Sequence, residues 1–178
     1  MLRSPRLSLR AIELADLNPT YLGWLNDPLV NRYLETRYLH QTMESLHRYW
    51  EAHRDDPSSP WFAICLEANG QHIGNIKLGP IDWMHRRSEI SLFIGDRSCW
   101  GQGFAREAIT ALCDWAFHEL DLQKLSASIY EGNIGSRRAF EKSGFKLEGT
   151  FRYECHHRGK RVDIWRMGFP RADWEAAS

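Results

Sequence analysis

The segment Ser98-Cys99-Trp100-Gly101-Gln102-Gly103-Phe104-Ala105-Arg106-Glu107-Ala108 narrows the folds open to this chain more than any other. A strand-like run, Ser88 to Ile94, ends just before it. A long helical pattern begins inside it, from about Gly103 to Leu120, with Phe104, Ala108, Ile109, Leu112, Trp115 and Ala116 spaced at three and four. Strand, glycine-rich turn and long helix together make an α/β unit. Glycines let the backbone take positive φ and approach a ligand closely. The free N–H groups of the first helical turn, and the helix dipole, favour an anion at that point. A pyrophosphate fits. The turn lacks the G-x-x-x-x-G-K-S/T of a P-loop and the G-x-G-x-x-G of a dinucleotide site. Read by itself, it could also be a glycine-rich connection that holds nothing.

The rest of the chain supplies more strands and helices. Arg6 to Ile12 alternates as a strand. Helical turns follow from Asn18 to about Leu34, with Asp27-Pro28 read as a helix start. A further helix runs from Thr42 to His53. Trp61–Leu66 and His72–Leu78 read as a hairpin, with Asn69-Gly70 as a type I′ turn. Lys124–Tyr130 is a strand, and a short helix opens after Asn133 and stops at Ser143-Gly144. Phe145–Cys155 and Arg161–Phe169 are the last strands, joined at Arg158-Gly159. The expected fold is α/β, a mixed sheet with helices on both faces, in a single domain over residues 1–178. Lys plus Arg number 23 and Asp plus Glu number 23, so no net charge draws the chain to nucleic acid or to an anionic membrane. Cys65, Cys99, Cys113 and Cys155 show no metal-ligand spacing and read as reduced thiols. No metal is expected, and the expected location is the cytoplasm. His156-His157 cannot easily share an ion, because neighbours on a strand face opposite ways. Cys99 has no His/Asp arrangement that would mark it as a nucleophile.

A second motif, Asn133-Ile134-Gly135-Ser136-Arg137-Arg138-Ala139-Phe140-Glu141-Lys142-Ser143-Gly144-Phe145, lies one strand beyond the first. Trp100 to Ala105 resembles the Q/R-x-x-G-x-G/A loop of the GNAT superfamily of N-acetyltransferases. Asn133 to Phe145 resembles that superfamily's N-x-x-S/A…E-K-x-G-F segment. The similarity runs from about Leu7 to Phe169. It is nearest to the branch of ribosomal-protein N-terminal acetyltransferases and bacterial amino-sugar acetyltransferases. Two positions depart from the pattern: Trp100 replaces Gln or Arg, and Phe140 stands where other branches carry a general-acid Tyr.

The resemblance implies a mostly antiparallel GNAT sheet with one splayed parallel pair, Ser88–Ile94 beside Lys124–Tyr130. It implies acetyl-CoA as co-substrate, lying in that splay. Backbone groups of Ser91, Leu92, Phe93 and Ile94 would hold the pantetheine. Gly101, Gln102, Gly103, Phe104 and Ala105 would hold the pyrophosphate, with Arg106, Arg137 and Lys142 within reach of phosphate. A solvated helix face is the other reading of Arg137 and Lys142. Asn133 would bond the pantetheine or cap its helix, and Phe140 would pack beside the cofactor. An alkylammonium has a pKa of about 10, so the attacking amine needs a base. Glu89, acting through water, is the implied base; a cross-strand ion pair is its other reading. Ser136 would give a proton or hydrogen bond to the leaving thiolate, unless its hydroxyl serves only the helix start. Tyr130 and Tyr153 are reserves.

The expected function is acetyl transfer to a primary amine of a small molecule. Trp24 to Leu34 resembles sugar-modifying members, which points to a nucleotide-linked amino sugar. A peptide N-terminus is the alternative acceptor, and an idle acyl-CoA-binding module is the alternative of another class. A homodimer is left open.

Overall fold

Alternation at the N-terminus does produce a strand. In the computed structural model, which describes residues 1–177, β1 (Leu2–Arg3) and β2 (Leu7–Ala11) pair antiparallel, with Leu7 and Leu9 buried and Ser8 and Arg10 half-buried on the opposite face. There follow α1 (Pro19–Asn26), α2 (Met43–His53), β3 (Trp61–Leu66), β4 (His72–Leu78) and β5 (Arg87–Ile94). Then come α3 (Phe104–His118), β6 (Lys124–Tyr130), α4 (Ile134–Lys142), β7 (Lys146–His157), β8 (Lys160–Pro170) and the short α5 (Arg171–Glu175). Among the described residues the strands form one eight-stranded sheet in the order β1-β2-β3-β4-β5-β6-β8-β7. Every pair is antiparallel except β5–β6. This is the mixed α/β architecture, and the splayed parallel pair, that the sequence led us to expect.

The faces of the sheet carry two cores. Ile90 of β5, Leu125, Ala127 and Ile129 of β6, and Met167 and Phe169 of β8 pack with Ala108, Ile109, Leu112, Phe117 and Phe140 of α3 and α4. On the other face Ala63 and Cys65 pack with Tyr21, Leu25 and Leu46 of α1 and α2. Leu112 is fully buried, so its truncation to Ala should cost about 2–5 kcal/mol.

Three turns behave differently from the sequence reading, or sharpen it. Asp27-Pro28 ends a helix and starts none: Asp27 is the C-cap of α1, with φ −73° and ψ 118°. A residue before proline is pushed out of the helical region, so α1 stops there. The helix instead starts at Asn18, whose side chain accepts from the N–H groups of Thr20 and Tyr21, ahead of Pro19. Asn69-Gly70 is not a type I′ turn. Only Gly70 has positive φ (72°), and its N–H reaches back to the Leu66 carbonyl at 2.8 Å, in a wider connection. The double positive φ of that turn occurs at Arg158 (50°) and Gly159 (78°), where a tight loop joins β7 to β8. The ends of the sheet are irregular. β1 is two residues long, and the β7–β8 register shifts twice, between Leu147 and Gly149 and between Phe151 and Cys155. The four cysteines are free thiols.

Candidate active site

β5 and β6 share only three register pairs, Arg87 with Lys124, Ser88 with Leu125 and Glu89 with Ser126. Beyond Glu89 the strands part and leave a notch. The Glu89 carbonyl accepts from Gly79 N–H at 3.1 Å, and Gly95 N–H donates to the Ile73 carbonyl at 2.8 Å. Odd-numbered residues of β5 therefore give their backbone groups to the β4 side. Leu92 and Ile94 turn theirs into the notch, by the alternation of a strand. Ser91 and Phe93, expected in the same role, face β4; the Phe93 ring stacks on Tyr21 with centroids 6.2 Å apart. The Ile94 carbonyl is taken by the Trp100 indole N–H at 2.8 Å. Trp100, the unusual residue at the head of the loop, thus ties the loop to the mouth of the notch.

The loop turns on two glycines. Gly101 and Gly103 have φ of 74° and 84°, and Gly103 is the N-cap of α3 without any side-chain cap. The N–H groups at the start of α3, at Phe104, Ala105 and Arg106, therefore have neither a helix carbonyl nor a capping side chain to bond. Gln102 braces the turn through its side-chain amide, which donates to the Ser98 carbonyl at 2.7 Å. Sequence reasoning missed Arg6. Its guanidinium donates to the Gln102 carbonyl (3.1 Å), lies 4.4 Å over the Phe104 ring and pairs with Glu107 at 2.7 Å. Burial works to raise the Glu107 carboxyl, but hydrogen bonds from Ser4 and from the Arg6 backbone and side chain outweigh it and hold it low. The signal was available: an acid in the first turn of an anion-binding helix calls for a neutralising cation nearby. Arg106 is exposed, whereas Arg137 pairs with Glu141 at 2.8 Å and lies over the Trp165 ring.

Across the notch, Asn133 caps α4, its side chain accepting from Ser136 N–H at 3.3 Å. Asn133 therefore does the capping. The half-buried Ser136 hydroxyl has no partner among the described residues. Phe140 is 2% exposed and packs edge-on against Phe145 at 4.9 Å, within the core.

The sheet face carrying Leu125, Ala127 and Ile129 is closed by α3 and α4. Ser126, Ser128 and Tyr130 point the other way. Glu89 sits at the apex of the notch on this side. Its Oε1 accepts from Ser128 N–H at 2.9 Å, and its Oε2 is paired with the guanidinium of Arg166 on β8. Beyond Ser128, turns over residues 31–38 and the end of the β7–β8 hairpin form a basin. The Tyr130 hydroxyl donates to Glu35 and accepts from Arg37 at 2.9 Å. Burial raises the Tyr130 hydroxyl, and the Glu35 bond reinforces this against Arg37. Tyr38 donates to the His156 carbonyl, and Tyr33 stacks on His157 at 5.2 Å. The two histidines do face apart: His156 is exposed and His157 is turned into the basin. Burial lowers the His157 pKa, and the charges of Arg37, Arg158 and Arg32 lower it further. Thr36 Oγ1 and His157 Nδ1 are buried without a hydrogen-bond partner. Of these residues, Tyr130 and the pair His156-His157 stood out in the sequence and Tyr33 lay within the Trp24–Leu34 stretch, whereas Glu35, Thr36, Arg37 and Tyr38 did not. No helix among the described residues is long and apolar enough to cross a membrane.

An uncapped, glycine-led helix start at the mouth of a splayed parallel pair suits a donor that carries a pyrophosphate. Residues 6–146 match the acetyltransferase (GNAT) domain family, and the chain belongs to it. It is an N-acetyltransferase that takes acetyl-CoA as donor. It is 28% identical to the uncharacterized N-acetyltransferase p20 of Bacillus licheniformis, over 97% of each chain. It is also 28% identical to the spermidine N(1)-acetyltransferase of Vibrio cholerae, over 91% of each chain. A Vibrio cholerae spermidine N-acetyltransferase, solved in complex with CoA and spermine, superposes with a TM-score of 0.87. It is 25% identical to this chain, and the match covers 97% of this chain and 99% of that one.

Proposed function

We propose that this acetyltransferase modifies the primary amine of a small molecule that also carries an anionic group, a nucleotide-linked amino sugar being the class that fits. The basin supports this reading. Arg32 and Arg158 form no ion pair among the described residues, and His157 beside them is held neutral by burial and by the surrounding cations. Such a field attracts phosphate or carboxylate and repels a polycation. The backbone of Leu92 and Ile94 and the α3 start suit the pantetheine and pyrophosphate of acetyl-CoA, whose thioester supplies the acetyl group. In this reading Glu89 accepts the amine proton through a water, using lone pairs that Ser128 and Arg166 leave open. The Ser136 hydroxyl, free of its own helix, donates to the departing sulfur. Phe140 offers no hydroxyl and no exposed edge, so it takes no part in the chemistry.

A second reading, a polyamine acceptor, is favoured by the spermidine acetyltransferases among the relatives and by Glu35, whose side chain is 72% exposed. A screen that follows free thiol release separates the two. Nucleotide-linked and phosphorylated amino sugars should turn over well above spermidine, with peptide N-termini between them. Spermidine as the best acceptor, with anionic amines idle, would overturn the proposal. Binding of acetyl-CoA without turnover on any amine would point to an idle binding module.

A further inference from the structure

The β5–β6 ladder stops at Glu89 and Ser126, yet the next β6 donor on that side, Ser128 N–H, is not left open. A side chain takes it: Glu89 Oε1 accepts at 2.9 Å, where a backbone carbonyl of β5 would otherwise stand. Arg166 holds that carboxylate from the far side of β6. One nitrogen of its guanidinium, Nη1, reaches Glu89 Oε2 and, at 2.7 Å, Ser128 Oγ. The other, Nη2, donates to Ser126 Oγ at 2.8 Å, and Ser126 Oγ in turn donates to the Ser88 carbonyl at 3.3 Å. Three strands are thereby tied at one point by side chains, at the place where the backbone ladder ends.

We propose that Glu89 and Arg166 form a clasp that replaces the next backbone rung and sets the width of the notch before acetyl-CoA arrives. Without the clasp the strands drift apart and lose the spacing that lets β5 hold the pantetheine. Arg166 is in this sense a positioning residue, acting on the donor site through Glu89. The proposal rests on the placement of acetyl-CoA above, but not on Glu89 serving as a base, because binding in the absence of an acceptor involves no proton transfer.

Calorimetric titration with acetyl-CoA alone tests it, using Glu89→Gln, Arg166→Gln and the double variant. Each single change should weaken binding about tenfold, and the double should be no weaker than the worse single, since both break one device. Arg166→Lys should recover part of the loss. A second measurement avoids ligand altogether. In the free parent protein the Ser128 amide should exchange slowly with solvent, and Glu89→Ala should speed it while amides elsewhere in β6 stay protected. If both single variants bind like the parent and Ser128 exchange is unchanged, there is no clasp. Additive losses in the double variant would also overturn it, because the two residues would then act separately. If the parent itself fails to bind acetyl-CoA, the donor-site reading falls instead.

Discussion

The two sides of the notch are built in different ways. The donor side is made from two short contiguous stretches, residues 98–108 and 133–145, each a helix start following a strand. Its chemistry is backbone chemistry: unspent N–H groups, positive φ at Gly101 and Gly103, and the inward-facing amides of β5. The acceptor side is made from side chains that converge from residues 32–38, 130 and 156–158, held by cross-links such as Arg37 to Tyr130 and Tyr33 on His157. A site of the first kind is fixed by local geometry and tolerates little change. A site of the second kind can be re-lined residue by residue while the sheet stays as it is. The relationship to the spermidine acetyltransferases is therefore compatible with a different acceptor, because a shared fold does not fix the side chains that line a site.

The strongest way to break this comparison is at Gly103. Gly103→Val puts a branched side chain at φ 84°, a strained conformation, with its Cβ 3.6 Å from the Arg6 guanidinium at the proposed pyrophosphate loop. Acetyl-CoA binding should disappear in a calorimetric titration; retained affinity would mean that the loop is not the cradle. Next in size is Ser136→Ala. The leaving thiol has a pKa of about 8.5 and is tolerable without a proton donor, so kcat should fall near the low end of general-acid effects, about 10²-fold. Acetyl-CoA affinity should hold. A silent substitution would strip Ser136 of its role in the reaction.

A smaller effect is expected on the acceptor side. Arg32→Ala with Arg158→Ala should raise KM for an anionic acceptor about tenfold while leaving acetyl-CoA affinity at the parent value. Equal losses for both substrates would erase the distinction between the two sides. The smallest effect is in pH. His72 and His157, the histidines whose pKa is lowered by burial, both lie on the α1–α2 side of the sheet. Because the folded pKa lies below the unfolded value of about 6.5, the unfolded chain takes up protons first as pH falls. The stability these neutral rings contribute is full above that value and is lost as pH drops through it toward the folded pKa. Hydrogen exchange at pH 5 against pH 7 should show α1, which packs on His72, and the turns around His157 opening sooner, with α3 unaffected; His72→Asn should remove the part of the difference at α1.

What the sequence revealed follows the same division. The strand–glycine–helix unit and the Asn133 segment could be read because neighbours in sequence are neighbours in space. Lys124–Tyr130 and Trp61–Leu66 came out with the observed limits because their apolar and β-branched patterns are local. The Asp27-Pro28 turn was misread because proline serves both to open helices and to stop the residue before it, and only the preceding cap at Asn18 decides between these. Arg6 and Arg166 could not be found by spacing. Arg6 acts across 101 residues on Glu107, and Arg166 across 77 on Glu89. Phe140 was placed by analogy with a tyrosine, but with no hydroxyl to satisfy its ring sinks into the core beside Phe145.

An open sheet of this size has two raw edges, and its exposed N–H and C=O groups could template a neighbouring chain. Here one edge is only two residues long, too short to nucleate pairing. The other, β7, is broken twice in register, turns its backbone at Tyr153 to φ 57°, and carries Lys146, Glu148, Arg152 and Glu154 along its length. A strand kinked and charged in this way presents no flat run for another to add to. The irregularity that shapes the acceptor-side hairpin therefore also guards the molecule against edge-to-edge aggregation. Straightening β7, by deleting the extra residues at 152–154, should make the chain associate through its sheet.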